Sequence, residues 1–402
     1  MRLRTFESLR YRNYRLYWLG SVSEHFGEFM ELAAILWITN EITRSPFLLT
    51  LVASCRFMPV VLLSVVGGLA ADRSNRRDLL IGALFGSVLL SVCLAVLSAS
   101  ARLTVWYLVV ISCLHGVLMS FNHPVRQSIL PNLVEKEGLL NAISLETGSV
   151  IASQAIAMPL AGYLIATVGA PPVFGLRGAL AILTIWWIIP LRGVSVAAKP
   201  KERSLAHDLA EGISYVREHL VIFVLVLLFL VPRVSTNTYV SLIPIFAVDF
   251  LRVGPAGYGL LQGAAGWGSL VGFIVLASLG KLRPKGLLLL CISIVVGLSL
   301  GGFATSRWLS LSLIFLFLVG GFNTSFIILN STLIQSMTPD RIRGRIMSLT
   351  EVIRGLGPAG SLLFGVIGEH AGAPSAILAL AAICFFVSLG LILLSPRVRD
   401  IG

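Results

Sequence analysis

Gly67-Gly68-Leu69-Ala70-Ala71-Asp72-Arg73-Ser74-Asn75-Arg76-Arg77 is a short charged stretch between two long apolar runs, residues 47–70 and 79–97. Each run is close to the roughly 20 residues that a helix needs to cross a bilayer. A charged joint this short cannot lie in lipid, so we predict a tight turn at a membrane surface. Three arginines within five residues favour the cytoplasmic side for that turn.

The composition of the chain is that of a membrane protein that crosses the bilayer many times. Hydrophobic residues make up 56% of the sequence and charged residues 12%, against about 25% charged residues in soluble domains. The N-terminus lacks a small-residue cleavage site, so we expect no cleaved signal peptide. The five cysteines lie in apolar runs without paired spacing, which suggests neither a disulfide framework nor a metal site. The net charge of +12 reflects the loops, and we expect no nucleic-acid partner.

Twelve apolar stretches predict an all-α membrane protein with twelve transmembrane helices in two six-helix bundles. The predicted spans are residues 15–39, 47–70, 79–98, 103–121, 139–167, 172–190, 221–250, 256–279, 286–304, 308–330, 342–369 and 374–394. If both termini are cytoplasmic, 23 of the 31 lysines and arginines, Arg126 among them, lie in inside segments. Only five lie in outside loops, at Arg44, Arg102, Arg177, Arg252 and Arg307. This asymmetry predicts a multi-pass protein of the bacterial inner or plasma membrane with cytoplasmic termini.

Short sequences from the first half of the chain recur in the second half. Phe121-Asn122 recurs as Phe322-Asn323, and Gly169-Ala170-Pro171 recurs as Gly372-Ala373-Pro374. A duplicated six-helix unit leaves matches of this kind. We therefore predict an N-terminal bundle at 1–190, a cytoplasmic linker at 191–220 and a C-terminal bundle at 221–402. Within the linker, apolar residues recur on one helical stripe between positions 205 and 220, which predicts an amphipathic helix.

The first span contains three glutamates that are candidates for proton coupling, and Glu146 of the fifth span is the fourth candidate. Glu24, Glu28 and Glu31 fall within an arc of about 60° on a helix, with His25 beside them. Charges at bilayer depth face water, form pairs or take up protons, and three carboxylates on one face favour a bound proton. We expect Glu28 to be the coupling residue, with Glu146 of the fifth span next and a milder effect at Glu31. The alternative is that Glu24 lies near the cytoplasmic mouth and that an arginine neutralises Glu28.

Other polar residues within the spans are candidates to line a substrate cavity. Arg56 must find an anion, and the nearest candidates are the glutamates of the first helix, so it is either a structural counter-ion or a substrate contact. The complete set predicted for the cavity is His25, Arg56, His115, Arg233, Asn237, Tyr239, Asn323 and Arg354. The sequence shows no phosphate loop, metal-ligand helix or nucleophile elbow, so we do not expect an enzyme. Without an ATP-binding motif, uphill transport must draw on an ion gradient, with no bound cofactor.

Several motifs resemble the major facilitator superfamily. The stretch from Gly68 to Arg77 is similar to that family's signature between its second and third helices. Residues 10–18, Arg56-Phe57-Met58-Pro59, the segment from 124 to 142, and Gly344 to Leu349 resemble the branch that holds the enterobactin exporter and the macrolide efflux proteins. This resemblance implies proton-driven export of small amphipathic molecules by alternating access. It also implies a cytoplasmic gate, for which we list Gly68, Asp72, Arg73, Arg77 and Arg345.

The prediction from sequence is a secondary transporter that exports drugs or siderophore-like molecules by proton antiport. Its expected partners are a small-molecule substrate, protons and the lipid bilayer, and we expect a monomer. A lipid or lysolipid translocator and an uptake transporter of the same fold stay open as alternatives. A membrane sensor that does not transport would bind ligand without flux, and an intramembrane enzyme would need a catalytic constellation that the sequence lacks.

Overall fold

The computed structural model describes the backbone of residues 6–73, 75–191, 205–278, 284–399 and 401, and their side chains except at 64–73, 205–210, 348, 351 and 354. Within these ranges the secondary structure is helical. The first six long helices are α1 (Arg12–Thr43), α2 (Pro46–Arg73), α3 (Arg76–Ala99), α4 (Val105–Ile129), α5 (Leu139–Val168) and α6 (Pro171–Ile188).

The second half begins with the helix predicted in the linker. It comprises α7 (Leu205–Glu218), α8 (Leu220–Leu228), α9 (Leu230–Ile245), α10 (Gly254–Ser278), α11 (Lys285–Thr305), α12 (Leu309–Met337), α13 (Asp340–Ala371), α14 (Ala373–Leu394) and α15 (Pro396–Arg399). One π-helical turn, Phe246–Phe250, follows α9 directly. Most helix ends lie within three residues of the predicted spans, but α4 and α12 continue for about two further turns. Their last turns, such as His123 to Ser128 in α4, are polar and so were not recognised by hydropathy.

Ten helical stretches among the described residues are long and apolar enough to cross a membrane. The stretch from Leu220 to Phe250 counts as one of them, although α8 and α9 are separate helices. Helices α1 and α13 are not among the ten, although each has 32 residues. Both are rich in ionisable residues, with four glutamates in α1. The helical class is therefore confirmed, while the count of twelve spans stays a prediction.

Two arginines lie elsewhere than the sequence analysis placed them. Arg177 was counted in an outside loop, although the predicted span 172–190 contains it; it lies six residues inside α6 and its side chain is fully buried. Arg126 was counted in an inside loop, but it lies in the last turn of α4 and is 6% exposed. Both assignments were wrong because positive charge was equated with a loop. The physical reason is that each arginine has polar partners inside the protein, as described below.

Contacts divide the chain into two compact units. Unit 1 comprises Met1–Thr43, Cys55–Pro200 and Gly254–Gly263, and unit 2 comprises Arg44–Ser54, Lys201–Val253 and Ala264–Gly402. In unit 1, α6 packs on both α1 and α3, and α5 packs on α1. In unit 2, α11 packs on α12 and α14, and α13 packs on α9. The predicted ranges 1–190 and 221–402 provide most of these units.

The predicted linker helix is present as α7 and belongs to unit 2. Val216 is buried there in an apolar cluster with Ile222 and Leu225. Gly212 of α7 lies against the backbone of Arg345 in α13, where an added Cβ would meet the carbonyl oxygen at 3.4 Å. Of the apolar stripe predicted from sequence, Val216 packs on the protein, whereas Ile213 and Leu220 are exposed and the side chains of Leu205 and Leu209 lie outside the described residues.

Candidate ionic site in unit 1

The candidate site is built on the middle of α1, which places Glu24, His25, Glu28 and Glu31 among the helices of unit 1. Helices α4, α5 and α6 all pack on α1. Glu24 lies one helical turn before Glu28, and Glu31 lies one turn after it. The side chains nevertheless contact different neighbours. Glu24 and Glu31 are buried, whereas His25 and Glu28 are partly exposed. The four residues therefore separate into a closed group and an open group.

Arg177 holds the closed group together. Its Nη2 donates to Glu24 Oε1 at 2.8 Å, and its Nη1 donates to Glu24 Oε2 at 3.2 Å. Its Nε donates to Glu31 Oε2 at 3.1 Å. One guanidinium thus joins two carboxylates on successive turns of α1, with a two-point contact to the first of them. Contacts of this kind are the strong form of the ion pair because their geometry is fixed.

Glu31 has two further partners on other helices. Arg56 of α2 donates from Nη1 to Glu31 Oε1 at 3.3 Å. His115 of α4 places Nδ1 3.1 Å from the same oxygen, without the alignment of a hydrogen bond. The sequence analysis expected Arg56 to find a glutamate of the first helix, and that pairing is confirmed.

The closed group has the features of a structural network. Its five members, Glu24, Glu31, Arg56, His115 and Arg177, are each no more than 2% exposed. Two carboxylates face two guanidiniums, so these four charges balance. Removing one member would leave a buried charge without its counter-ion, which is strongly destabilising. Arg56 and His115, which were predicted to line a substrate cavity, are buried in this network, and Arg56 has the counter-ion contact that was the alternative for it.

Gly27 makes room for the stem of Arg177. A Cβ at this position would lie 2.8 Å from Arg177 Cδ, and that side chain is fixed by three hydrogen bonds. Relative to the control Gly148→Ala, we expect Gly27→Ala to lower the free energy of unfolding by about 1–3 kcal/mol through overpacking. Thermal unfolding of the purified variants measures this difference.

Gly148 is a suitable control because it also lies within a helix and an added Cβ would meet nothing within 4 Å. Both substitutions gain the same helix propensity, so their difference isolates the contact with Arg177. Equal unfolding temperatures for the two variants would contradict the packing argument.

The open group is centred on His25. Its Nε2 lies 3.3 Å from Glu146 Oε1 of α5, and its Nδ1 lies 3.6 Å from Glu28 Oε2. The side chains of His25, Glu28 and Glu146 are 12%, 16% and 18% exposed, whereas those of the closed group are buried. A protonated imidazole has a donor on both nitrogens, whereas a neutral one has a single donor. The arrangement can therefore bind and release a proton.

Arg126 of α4 lies next to the open group. Its Nε donates to Asn122 Oδ1 at 2.6 Å, its Nη1 donates to Ser21 Oγ at 2.7 Å, and its guanidinium lies over the ring of Tyr17. Its Nη2 is buried without an aligned acceptor, and no donor is aligned on Glu146 Oε2. The surroundings of His25 thus keep a donor and an acceptor that a water molecule or a ligand can satisfy.

The other residues predicted for a substrate cavity lie in unit 2. Arg233 and Asn237 of α9 are partly exposed and face Gly357 of α13, where a Cβ would lie 2.9 Å from Asn237 Nδ2. Tyr239 is 2% exposed, and the amide of Asn323 donates to the hydroxyl of Thr236. The side chain of Arg354 lies outside the described residues.

The residues predicted for a cytoplasmic gate are described only in part. The side chains of Gly68, Asp72 and Arg73 lie outside the described residues. Arg77 is in the first turn of α3, where its backbone N–H donates to Asn75 Oδ1 at 3.1 Å and the asparagine caps the helix. Arg345 of α13 forms an ion pair with Glu211 of α7 inside unit 2.

The sequence analysis missed Arg177, Arg126 and Gly27. One signal could have identified Arg177, because it is the only charged residue in the otherwise apolar sequence of α6. Arg126 carried a weaker signal, since it follows Asn122 by four residues, a spacing that puts both on one helix face.

One family model matches nearly the whole chain. The model described as "Transmembrane secretion effector" matches residues 3–401. The match covers both units and both groups of ionisable residues.

Curated relatives match along most of their own length. The staphyloferrin A transporter of Staphylococcus aureus is 25% identical over 86% of this chain and 87% of that protein. Macrolide efflux protein A of Streptococcus pyogenes is 24% identical over 90% of this chain and 92% of that protein. The enterobactin exporter of Citrobacter koseri is 28% identical over 79% of this chain and 75% of that protein.

Among solved structures, a POT family transporter in complex with 5-aminolevulinic acid superimposes with a TM-score of 0.77. The alignment covers 96% of each chain at 12% sequence identity. At that identity the likeness concerns the fold alone.

Proposed function

Because this chain belongs to the transmembrane secretion effector family of the major facilitator superfamily, we propose that it exports small amphipathic molecules by proton antiport. It is a multi-pass membrane transporter, not an enzyme, and its curated relatives are transporters of siderophores and macrolides. The substrates that we propose are drugs or siderophore-like compounds, which the protein moves outward at the expense of a proton gradient, without a bound cofactor. The observation that carries this proposal is the partly exposed His25–Glu28–Glu146 group beside a closed ionic network.

Proton antiport requires a group that water reaches and that binds either a proton or the substrate. The carboxylates of Glu28 and Glu146 flank one imidazole and are partly exposed, which supports such a role. Glu24 and Glu31 are instead fixed by Arg177 and buried. Of the four glutamates predicted for coupling, we therefore assign the coupling role to Glu28 and Glu146 and a structural role to the other two.

We propose that the protein is a monomer with twelve membrane helices and cytoplasmic termini. Transport would proceed by alternating access. Helices α1 and α13 would complete the twelve, since 32 residues of helix extend about 48 Å, more than the hydrocarbon core requires. Their charges would then face the protein interior, as Glu24 and Glu31 do in unit 1. The charged turn from Gly68 to Arg77 would act with Arg345 as the cytoplasmic gate.

The test of this function is flux into inside-out proteoliposomes that carry an imposed pH gradient, acid inside. A small panel should include a macrolide, a siderophore, a neutral amphiphile and a monocationic dye. We expect at least one of them to accumulate at least about tenfold above liposomes without protein, a concentration ratio that a pH difference of about one unit can sustain at one proton per molecule.

The control is the same protein without a gradient, for which the substrate should only equilibrate. Accumulation that persists after a protonophore collapses the gradient would contradict proton antiport. Binding of panel members without flux under any gradient would favour a sensor over a transporter.

A further inference from the structure

Helices α10 and α12 of unit 2 cross closely at glycines. An added Cβ at Gly268 would collide with the carbonyl of Phe317. One turn further along α10, an added Cβ at Gly272 would collide with the carbonyl of Gly321. Small residues allow backbones of membrane helices to approach in this way. Because the contacts advance in the same direction along both helices, α10 and α12 run parallel.

Beyond this crossing, an open cavity of about 240 Å³ lies between the two helices. Its apolar wall is formed by Phe273, Leu276, Ala277, Ile328 and Leu329. The volume is below the roughly 300–1,000 Å³ of pockets that enclose compact small molecules. Ile274 and Val275, next to the cavity in α10, expose apolar surface, which marks contact with a membrane. The cavity therefore suits a hydrocarbon chain that enters from the bilayer.

The polar side chains that line the cavity are Lys285 and Thr332. Lys285 immediately precedes the predicted span 286–304, and Thr332 follows the span 308–330 by two residues, so both lie at the level of the lipid headgroups. Phe273 lies six residues inside the predicted span 256–279, about 9 Å deeper. The cavity is thus polar at its headgroup end and apolar toward the middle of the bilayer.

The headgroup end of the cavity is positively charged. No described carboxylate pairs with the ammonium of Lys285, which is partly exposed. The hydroxyl of Thr332 already donates to the carbonyl of Ile328 at 2.8 Å, so the ammonium is the free donor at this end. Helix α15 packs on α11 and carries the exposed Arg397. In the proposed orientation this end lies at the cytoplasmic surface, whose leaflet carries anionic lipids.

We propose that this cavity binds one acyl chain of an anionic phospholipid whose phosphate pairs with Lys285. A free phosphate would leave the apolar wall uncovered, and a neutral lipid would leave the ammonium without a counter-ion. Basic pockets between membrane helices at the cytoplasmic side hold headgroups of this kind. The site is separate from the ionic groups of unit 1 and needs neither a substrate nor a proton gradient, so its failure leaves the proposed function standing.

The first experiment is photolabelling of the purified protein in detergent micelles. One probe is a phosphatidylglycerol with a diazirine in the middle of an acyl chain, and the matched probe carries the same chain on phosphatidylcholine. Mass spectrometry of peptides locates the label. We expect label at residues 273–277 and 328–332, about fivefold stronger with phosphatidylglycerol, which corresponds to about 1 kcal/mol for one lysine. Equal labelling by the two probes, or label confined to other helices, would overturn the proposal.

Lys285→Gln tests the positive charge. Labelling by phosphatidylglycerol should fall about fivefold, to the level of phosphatidylcholine, whereas Lys285→Arg should retain most of it. Lys136→Gln removes an exposed lysine from unit 1 and is the matched control, which should label like the wild type. A folded Lys285→Gln protein with the labelling of the wild type would overturn the proposal.

Ala277→Phe tests the cavity independently of the charge. Ala277 is exposed at the cavity wall, so a phenyl ring there would occupy the space of the acyl chain without displacing buried side chains. Labelling of the cavity should fall to background with both probes. Ala179→Phe changes an exposed alanine of α6 in the same way and should leave the labelling unchanged. If Lys285→Gln does not fold, undiminished labelling of Ala277→Phe would still overturn the proposal.

Competition separates the candidate occupants of the cavity. Unlabelled phosphatidylglycerol should displace the probe, whereas glycerol phosphate, which has the phosphate without the chains, should not. Displacement by glycerol phosphate alone would indicate an anion site in place of a lipid site. Displacement by a macrolide would assign the cavity to the substrate. Either result would overturn the proposal.

Discussion

Arg177→Met is expected to lower the free energy of unfolding by about 3–5 kcal/mol, the cost of leaving a buried charge without its partner. The substitution removes three hydrogen bonds and leaves Glu24 with no cation within the closed group. Glu31 keeps Arg56, so the destabilisation originates mainly at Glu24. Thermal unfolding in detergent, followed by the fraction of monodisperse protein, measures the effect. For a chain of 402 residues, a loss of this size corresponds to a drop of about 4–6 °C in unfolding temperature.

Two further variants test whether the destabilisation comes from the closed group. Arg102→Met removes an exposed arginine and should change the free energy of unfolding by less than about 0.5 kcal/mol. The double variant Glu24→Gln/Arg177→Met neutralises the stranded carboxylate and should recover part of the loss, because an unpaired amide is less costly to bury than an unpaired charge. An Arg177→Met protein as stable as Arg102→Met would contradict the structural role of the network.

The helices could be predicted from the sequence because hydropathy depends on local composition. Twenty consecutive apolar residues favour a membrane helix whatever their neighbours are, and the predicted spans match the helices closely. The pairing of Arg56 with a glutamate of α1 followed from one energetic fact, the cost of an unpaired buried charge. Neither argument needs knowledge of which helices touch.

The division of the four glutamates could not be predicted, because it depends on which helix faces which side of α1. Glu28 is rotated by only about 40° from Glu24 on the helix, yet Glu24 faces α6 and Glu28 lies in the group that faces α5. Arg177 was missed for the same reason. A positive charge near a predicted helix end favours a loop. Only the packing of α6 on α1 shows that two carboxylates of α1 lie beside this arginine.

Glu28→Gln is expected to abolish accumulation against a gradient while leaving exchange of substrate down its gradient. The amide has nearly the shape of the carboxylate but carries no charge and takes up no proton, so this position can no longer link substrate movement to proton movement. A coupling free energy of about 1–3 kcal/mol would be lost, which corresponds to about 5- to 150-fold in accumulation. Paired flux measurements with and without a pH gradient, at saturating substrate, separate the two activities.

Comparison with Glu31→Gln tests whether the open and closed groups have separate roles. Glu31 accepts from Arg56 and Arg177, so the amide at this position should reduce stability more than coupling, and any protein that folds should still pump. Among the described residues, the ion pair of Glu28 is with the partly exposed His25, so its amide should leave the unfolding temperature close to that of the wild type. If Glu28→Gln still pumps uphill at a rate near that of the wild type, the coupling carboxylate is not Glu28. Glu146, on the other side of the same imidazole, then becomes the residue to replace, because it is the remaining carboxylate in contact with His25 among the described residues.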